Sequence, residues 1–196
     1  MTKNKKWYDY LWILSAAYMV LGFVNIMSAW LGLICFLVPV LISAVKGNKS
    51  YCSRYCGRGQ LFDLLGSRFN LSRRKDIPAF LRSKWFRYGF LLFFMAMFAN
   101  MIFMTYLVFR GAGSLKEVVT LLWAIRMPWD WAYGGGAAAH WAAHWAAQFA
   151  FGFYSLMLTS TTLGLITMAM YKPRSWCVYC PMGTMTQGIC RLKDAA

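Results

Sequence analysis

The residues in this 196-residue chain best suited to chemistry are six cysteines: Cys35, Cys52, Cys56, Cys177, Cys180 and Cys190. Four of them form two close pairs, Cys52/Cys56 with three residues between and Cys177/Cys180 with two. Thiol pairs at such spacings point to a metal. Soft thiolates suit zinc and iron–sulfur clusters alike. The two pairs are also copies of one another. Lys49-Ser-Tyr-Cys52-Ser-Arg-Tyr-Cys56-Gly-Arg-Gly59 parallels Arg174-Ser-Trp-Cys177-Val-Tyr-Cys180-Pro-Met-Gly183. Each copy carries a basic residue, a Ser, an aromatic, a Cys, a Tyr before the second Cys and a Gly three beyond it. Two such motifs facing one another supply four thiolates.

The flanking residues suit an anionic centre. A Gly just past a thiolate lets the backbone approach closely and turn its N–H groups toward negative charge. Lys49, Arg54, Arg58 and Arg174 add positive charge, which would stabilise a four-thiolate cluster and raise its potential. Tyr51, Tyr55, Trp176 and Tyr179 would shield it from water, and Pro181 matches the Cys-Pro that closes ferredoxin cluster motifs. The closest alternative is a structural zinc site with four thiolate ligands. Cys190 is a fifth thiol that could sit beside the four or replace one of them. Cys35 lies mid-span and reads as a small buried apolar residue.

These motifs must be held by membrane helices. Hydrophobic residues make up 60% of the chain and charged residues only 14%, too apolar and too uncharged for a soluble globule and the opposite of a disordered chain. The excess of 21 Lys+Arg over 6 Asp+Glu would also fit nucleic acid, but the apolar content decides for a membrane, with no nucleic-acid partner. Tyr10 to Val45 is a run of 36 residues without Asp, Glu, Lys or Arg, enough for two spans of about 20 residues each. The fold class expected is an all-α membrane protein with four transmembrane helices, about 8–26, 28–46, 88–109 and 148–171, under a cytoplasmic cap of cysteine motifs, 49–65 and 174–190, all in a single membrane domain.

The basic residues orient these spans. Eighteen lie before span one, between spans two and three, or after span four, against three in the loop between spans three and four: Arg110, Lys116 and Arg126. That bias places both termini and the 47–87 loop in the cytoplasm, as in a multi-pass protein of the cell (inner) membrane. Asp9, soon after the first Lys cluster, and the lack of a small-residue cleavage site read as a retained first helix. A reducing cytoplasm disfavours disulfides among the paired cysteines. The stretches 60–69 and 77–85 are expected to lie on the membrane surface, with basic residues facing anionic lipid. Ser114–Ile125 is expected to be a short helix capped by Ser114 and Glu117.

At the cysteine motifs the sequence resembles the polytopic membrane proteins of the 4Fe-4S binding family, which includes membrane iron–sulfur components of nitrate- and nitrous-oxide-reductase electron-supply systems. The resemblance implies one [4Fe-4S] cluster held by Cys52, Cys56, Cys177 and Cys180. It implies electron transfer at or across the membrane, between a cytoplasmic donor and a membrane or extracytoplasmic acceptor, alone or as a subunit of a larger membrane complex. The chain departs from the family pattern in three ways: Gly57 stands where the first motif has Pro, the second pair is one residue shorter, and there is no separate ferredoxin domain. The competing reading of the residues is a non-redox scaffold or assembly factor pinned by zinc.

Other signals are weaker. His140 and His144 lie four apart in a Trp/Ala-rich repeat, a spacing that shares one helix face and reads as an interfacial anchor. Met97, Met101 and Met104 read as helix packing. Asn100, Ser155, Thr159 and Thr162 are expected to hydrogen-bond between helices.

Overall fold

A computed structural model describes residues 10–47, 52, 55–122, 124–128 and 144–194. The chain is mostly helical. α1 spans Leu11–Val24; a 3-10 turn, Ile26–Leu31, leads into α2, Gly32–Lys46. α3, Gly57–Asp63, continues as a π turn over Leu64–Arg68, and α4 is the single turn Ala79–Arg82. α5 covers Lys84–Phe109, and strands β1, Thr120–Leu121, and β2, Ile125–Arg126, pair antiparallel. α6 covers His144–Met170, α7 Trp176–Tyr179 and α8 Pro181–Asp194.

Among the described residues three helical stretches are long and apolar enough to cross a membrane: Ile26–Val45, Lys84–Phe109 and His144–Met170. α1 has 14 residues, about 21 Å at 1.5 Å per residue, short of the roughly 30 Å of hydrocarbon. The start of the expected first span lies outside the described residues. Asn25 separates α1 from the 3-10 turn, which its side chain caps by accepting from the Met27 N–H at 3.0 Å. Pro39 sits inside α2, where neighbouring helices can satisfy the freed carbonyl. Leu92 on α5 is 71% exposed and Val45 on α2 is 74% exposed. Apolar surfaces of that kind suit lipid.

Contacts divide the chain into two units. One comprises Met1–Ala17, Cys35–Leu92 and Thr161–Ala196; the other comprises Tyr18–Ile34 and Phe93–Ser160. The first holds all six cysteines. Its helices meet at close approaches. A Cβ added to Gly164 of α6 would lie 2.4 Å from the Phe62 ring of α3, so only glycine lets that fully buried ring seat. The stretch 60–69 therefore packs Phe62 into the protein rather than lying as a free surface helix. The expected 77–85 segment is divided at Ser83 between α4 and the start of α5.

The second unit packs Ile26, Ala29, Val119, Ala147, Ala150, Phe151, Tyr154 and Leu158 into one cluster. Gly22 admits the Tyr154 ring, whose hydroxyl donates to the Met19 carbonyl at 2.9 Å. Met97 and Met101 are buried, and Gly152 accommodates Met101, so these methionines pack as expected.

The expected helix over Ser114–Ile125 is not formed. Residues 114–119 have no regular structure and lead into the β1–β2 hairpin. The backbone N–H groups of Lys116, Thr120 and Leu122 donate instead to Gln148 Oε1, Ser155 Oγ and Thr159 Oγ1 on α6, at 2.9, 3.1 and 3.2 Å. Acceptors more than 30 residues away replace the helical carbonyls, and the β-branched run Val118-Val119-Thr120 favours the extended form. Ser155 and Thr159 thus bind a loop backbone rather than a neighbouring helix.

Candidate functional site

The second cysteine of each pair opens a helix. Cys56 is the N-cap of α3, with extended backbone, and its sulphur accepts from the Gly59 N–H at 3.4 Å. Cys180 precedes Pro181 at the first position of α8, where the Gly183 and Met182 N–H groups favour its thiolate. Proline suits that first position because its missing N–H has no helical partner there anyway. The Gly three beyond the second Cys is therefore the third residue of its helix, where an N–H is free to cap. Two helix starts, with their partial positive charge, turn toward the thiols.

Gly57 occupies the place of Pro181 in the first copy for a steric reason. A Cβ there would sit 2.5 Å from the Leu11 carbonyl oxygen of α1. The difference between the two copies thus coincides with a close helix approach.

The motifs meet at Gly59. A Cβ on this buried glycine would lie 3.6 Å from both Cys56 Sγ and Cys177 Sγ, one from each copy. Electrostatics join the others. Burial first, then Cys56, Cys180 and Cys52 push the Cys177 thiol up to about 12. Cys177 keeps an exposed edge, but the surrounding protein still desolvates its sulphur. Burial pushes Cys180 up to about 11, against the capping Gly183 and Met182 N–H groups and Arg58, which favour the thiolate. Arg174 likewise opposes the shift of Cys177, and its guanidinium holds Asp63 at 2.9 Å, tying the end of α3 to the start of the second motif. Cys52 Sγ lies 3.8 Å from Thr186 Oγ1 on α8. Lys49, Tyr51 and Arg54 lie outside the described residues.

Helices α2 and α5 supply the walls. Ser43 of α2 donates to the Thr186 carbonyl at 3.0 Å. Arg87 of α5 donates to Gln187 Oε1 at 2.6 Å. Phe86 and Phe90 of α5 pack edge-on against Tyr179, and Phe90 also against Trp176. Trp176 and Tyr179 are 2% and 3% exposed, so water is kept from one side of the motif. Tyr55 is half-buried.

Cys190 meets a different neighbour. It is buried, with Sγ 3.3 Å from Ser43 Oγ. Ser43 commits its one proton to the Thr186 carbonyl, so the Cys190 S–H is the donor in this pair. Cys190 is not among the groups that shift Cys177 or Cys180. Cys35 is exposed on α2 rather than buried. His140 lies outside the described residues, and His144 is an exposed residue at the start of α6.

Among the described residues no three His, Cys, Asp or Glu side chains converge as a single metal ion requires. Zinc binds sulphur at about 2.3 Å and would draw four thiolates to within about 4 Å of one another. An iron–sulfur cluster also takes four thiolates, each meeting its own iron. Trp176 Nε1, a buried donor without a partner among the described residues, lies next in sequence to Cys177. The residues present therefore suit an anionic sulphur-rich group.

Residues 28–78 and 155–194 match the family model of a 4Fe-4S binding domain. The matched segments contain Cys52, Cys56, Cys177 and Cys180, together with α2, α3, α7 and α8. No curated protein and no solved structure matches the chain. The match supports an iron–sulfur binding protein whose cofactor is a [4Fe-4S] cluster.

Proposed function

Starting from that iron–sulfur domain match, we propose that this chain is a membrane electron-transfer protein, holding one cluster through Cys52, Cys56, Cys177 and Cys180 at the cytoplasmic face of the cell membrane. It relays electrons from a cytoplasmic donor to a membrane or extracytoplasmic acceptor. Four spans, with both termini and the 47–87 loop inside, complete the arrangement; the charge bias of the sequence supports it.

The observation that carries the reading is the pairing of two helix N-termini, Cys56–Gly59 and Cys180–Gly183, with the first motif's glycine beside a sulphur of the second. When bound, a [4Fe-4S] cluster supplies one-electron oxidation and reduction. The chain's own groups set the conditions for it. The Gly59, Met182 and Gly183 N–H groups and Arg58 stabilise negative sulphur, which favours the reduced state and raises the potential. Trp176 and Tyr179 exclude water from the walls. The exposed edge of Cys177 leaves one side open, where a docked donor comes within reach. In this reading the donor and the acceptor are separate molecules.

The test is anaerobic purification, iron and sulfide analysis, and electron paramagnetic resonance after reduction. Serine at Cys52, Cys56, Cys177 or Cys180 abolishes the signal and most of the iron, whereas Cys190→Ser retains both. Stoichiometric zinc with no iron in the native chain overturns the proposal in favour of a zinc-pinned scaffold.

A further inference from the structure

The hairpin of the second unit is deeper than its place in the sequence suggests. The outer limit of α5 is marked by Phe109, with Arg110 next in the chain. The Phe109 ring meets Trp145 of α6 edge-on at 6.2 Å, and Trp145 meets Trp30 in the same way. Clustered aromatics ending a charge-free run of 22 residues, Tyr88–Phe109, mark a membrane boundary. The helices stay in register below it, since Met101 seats against Gly152, eight residues from Phe109 and seven from Trp145.

From Trp145, Ser155 lies ten residues and Thr159 fourteen residues along α6, depths of about 15 and 21 Å at 1.5 Å per residue. Half of a hydrocarbon core of about 30 Å is about 15 Å. Thr120 and Leu122 donate to those two side chains. Arg126 pairs with Thr120 across the hairpin and is exposed, as is Ile125. A charged side chain and a strand edge cannot face lipid at mid-depth. Irregular backbone is tolerated there only where protein buries it or where it lines a water-filled cavity.

We infer that residues 114–122 and 124–127 form a re-entrant hairpin, which enters the membrane from the end of α6 near Trp145 and borders a water-filled vestibule reaching to about mid-bilayer, with Arg126 in its wall. The occupant of the open side is water. This inference rests on α5 and α6 crossing the membrane and is independent of the cluster.

Two measurements on the full chain in nanodiscs test it, in a Cys35→Ala background with monodisperse elution as the fold check. A short bis-methanethiosulfonate is expected to cross-link Leu122→Cys to Thr159→Cys but not Leu122→Cys to Gln148→Cys. A small membrane-impermeant thiosulfonate is expected to label Ile125→Cys above the level of the Cys35→Ala parent. Labelling without the 122–159 cross-link would place the hairpin outside the bilayer and overturn the inference. The cross-link without labelling would make the hairpin dry and overturn the vestibule. Hydrogen exchange on the unmodified chain guards against a disturbed variant: the 114–127 peptide exchanges in minutes while the middle of α5 does not, and equal protection of the two would overturn the vestibule as well.

Discussion

At the scale of single residues, each second cysteine is bound into its own helix start. The Gly183 and Met182 N–H groups favour the Cys180 thiolate, yet burial outweighs them and the thiol stands at about 11; burial likewise raises Cys177 to about 12, against an ordinary value of 9.0. The cluster-free chain is thus neutral at these sulphurs at physiological pH. Between pH 9 and 11 the folded state holds thiol protons that the unfolded chain has begun to lose, so stability falls as pH rises through that window. The thermal midpoint of the cluster-free chain, read by circular dichroism, should therefore drop from about pH 9 to about pH 11. The double change Cys177→Ser with Cys180→Ser should flatten that drop, and an unchanged slope would show that the fall comes from other groups. Loading the site at neutral pH must release protons, because bound sulphur is deprotonated.

At the scale of elements, the site is assembled by glycines that let helices touch. Gly57 admits the α1 backbone, Gly59 faces two sulphurs, and Gly164 admits Phe62. Gly164→Ala would place a methyl 2.4 Å from a ring with 0% exposure. Overpacking of this kind costs about 1–3 kcal/mol. The expected result is a lowered denaturation midpoint, with partial recovery when Phe62→Leu is added, since contacting sites are not additive. Additive losses would mean that α3 and α6 do not press on one another there. The surface pair Arg174–Asp63, about half exposed on both sides, contributes about 0–1 kcal/mol and serves to orient rather than to hold.

At the scale of the whole molecule, the proposed sidedness rests on the lopsided charge. Eighteen basic residues flank one end of the expected spans and three the other. Arg68, Arg73, Arg74, Lys75, Arg82 and Lys84 are all exposed, which suits an anionic leaflet or an aqueous face and excludes the lipid interior. With four spans, reporter domains fused to the N-terminus and to the C-terminus should both be active only in the cytoplasm. Reporters that disagree would mean an odd number of crossings and would leave α1, 14 residues in its described form, out of the bilayer.

The thiol pairs, their shared repeat, the apolar runs and the charge bias are written in the residues themselves, because spacing and composition are local properties. The same is true of the methionines, whose burial follows from their place on a helix. The tertiary structure alone decided which groups the thiols meet. Cys190 became a donor to Ser43, 147 positions away, and Gly57 lets the Leu11 carbonyl approach closely. Cys35 faces outward from a helical stretch long and apolar enough to cross a membrane. The segment 114–125 carries a good helix start, yet its N–H groups found better acceptors on α6. A capping box acts over three residues, whereas the competing hydrogen bonds come from side chains 32 to 37 positions along the chain, and only folding brings those within reach.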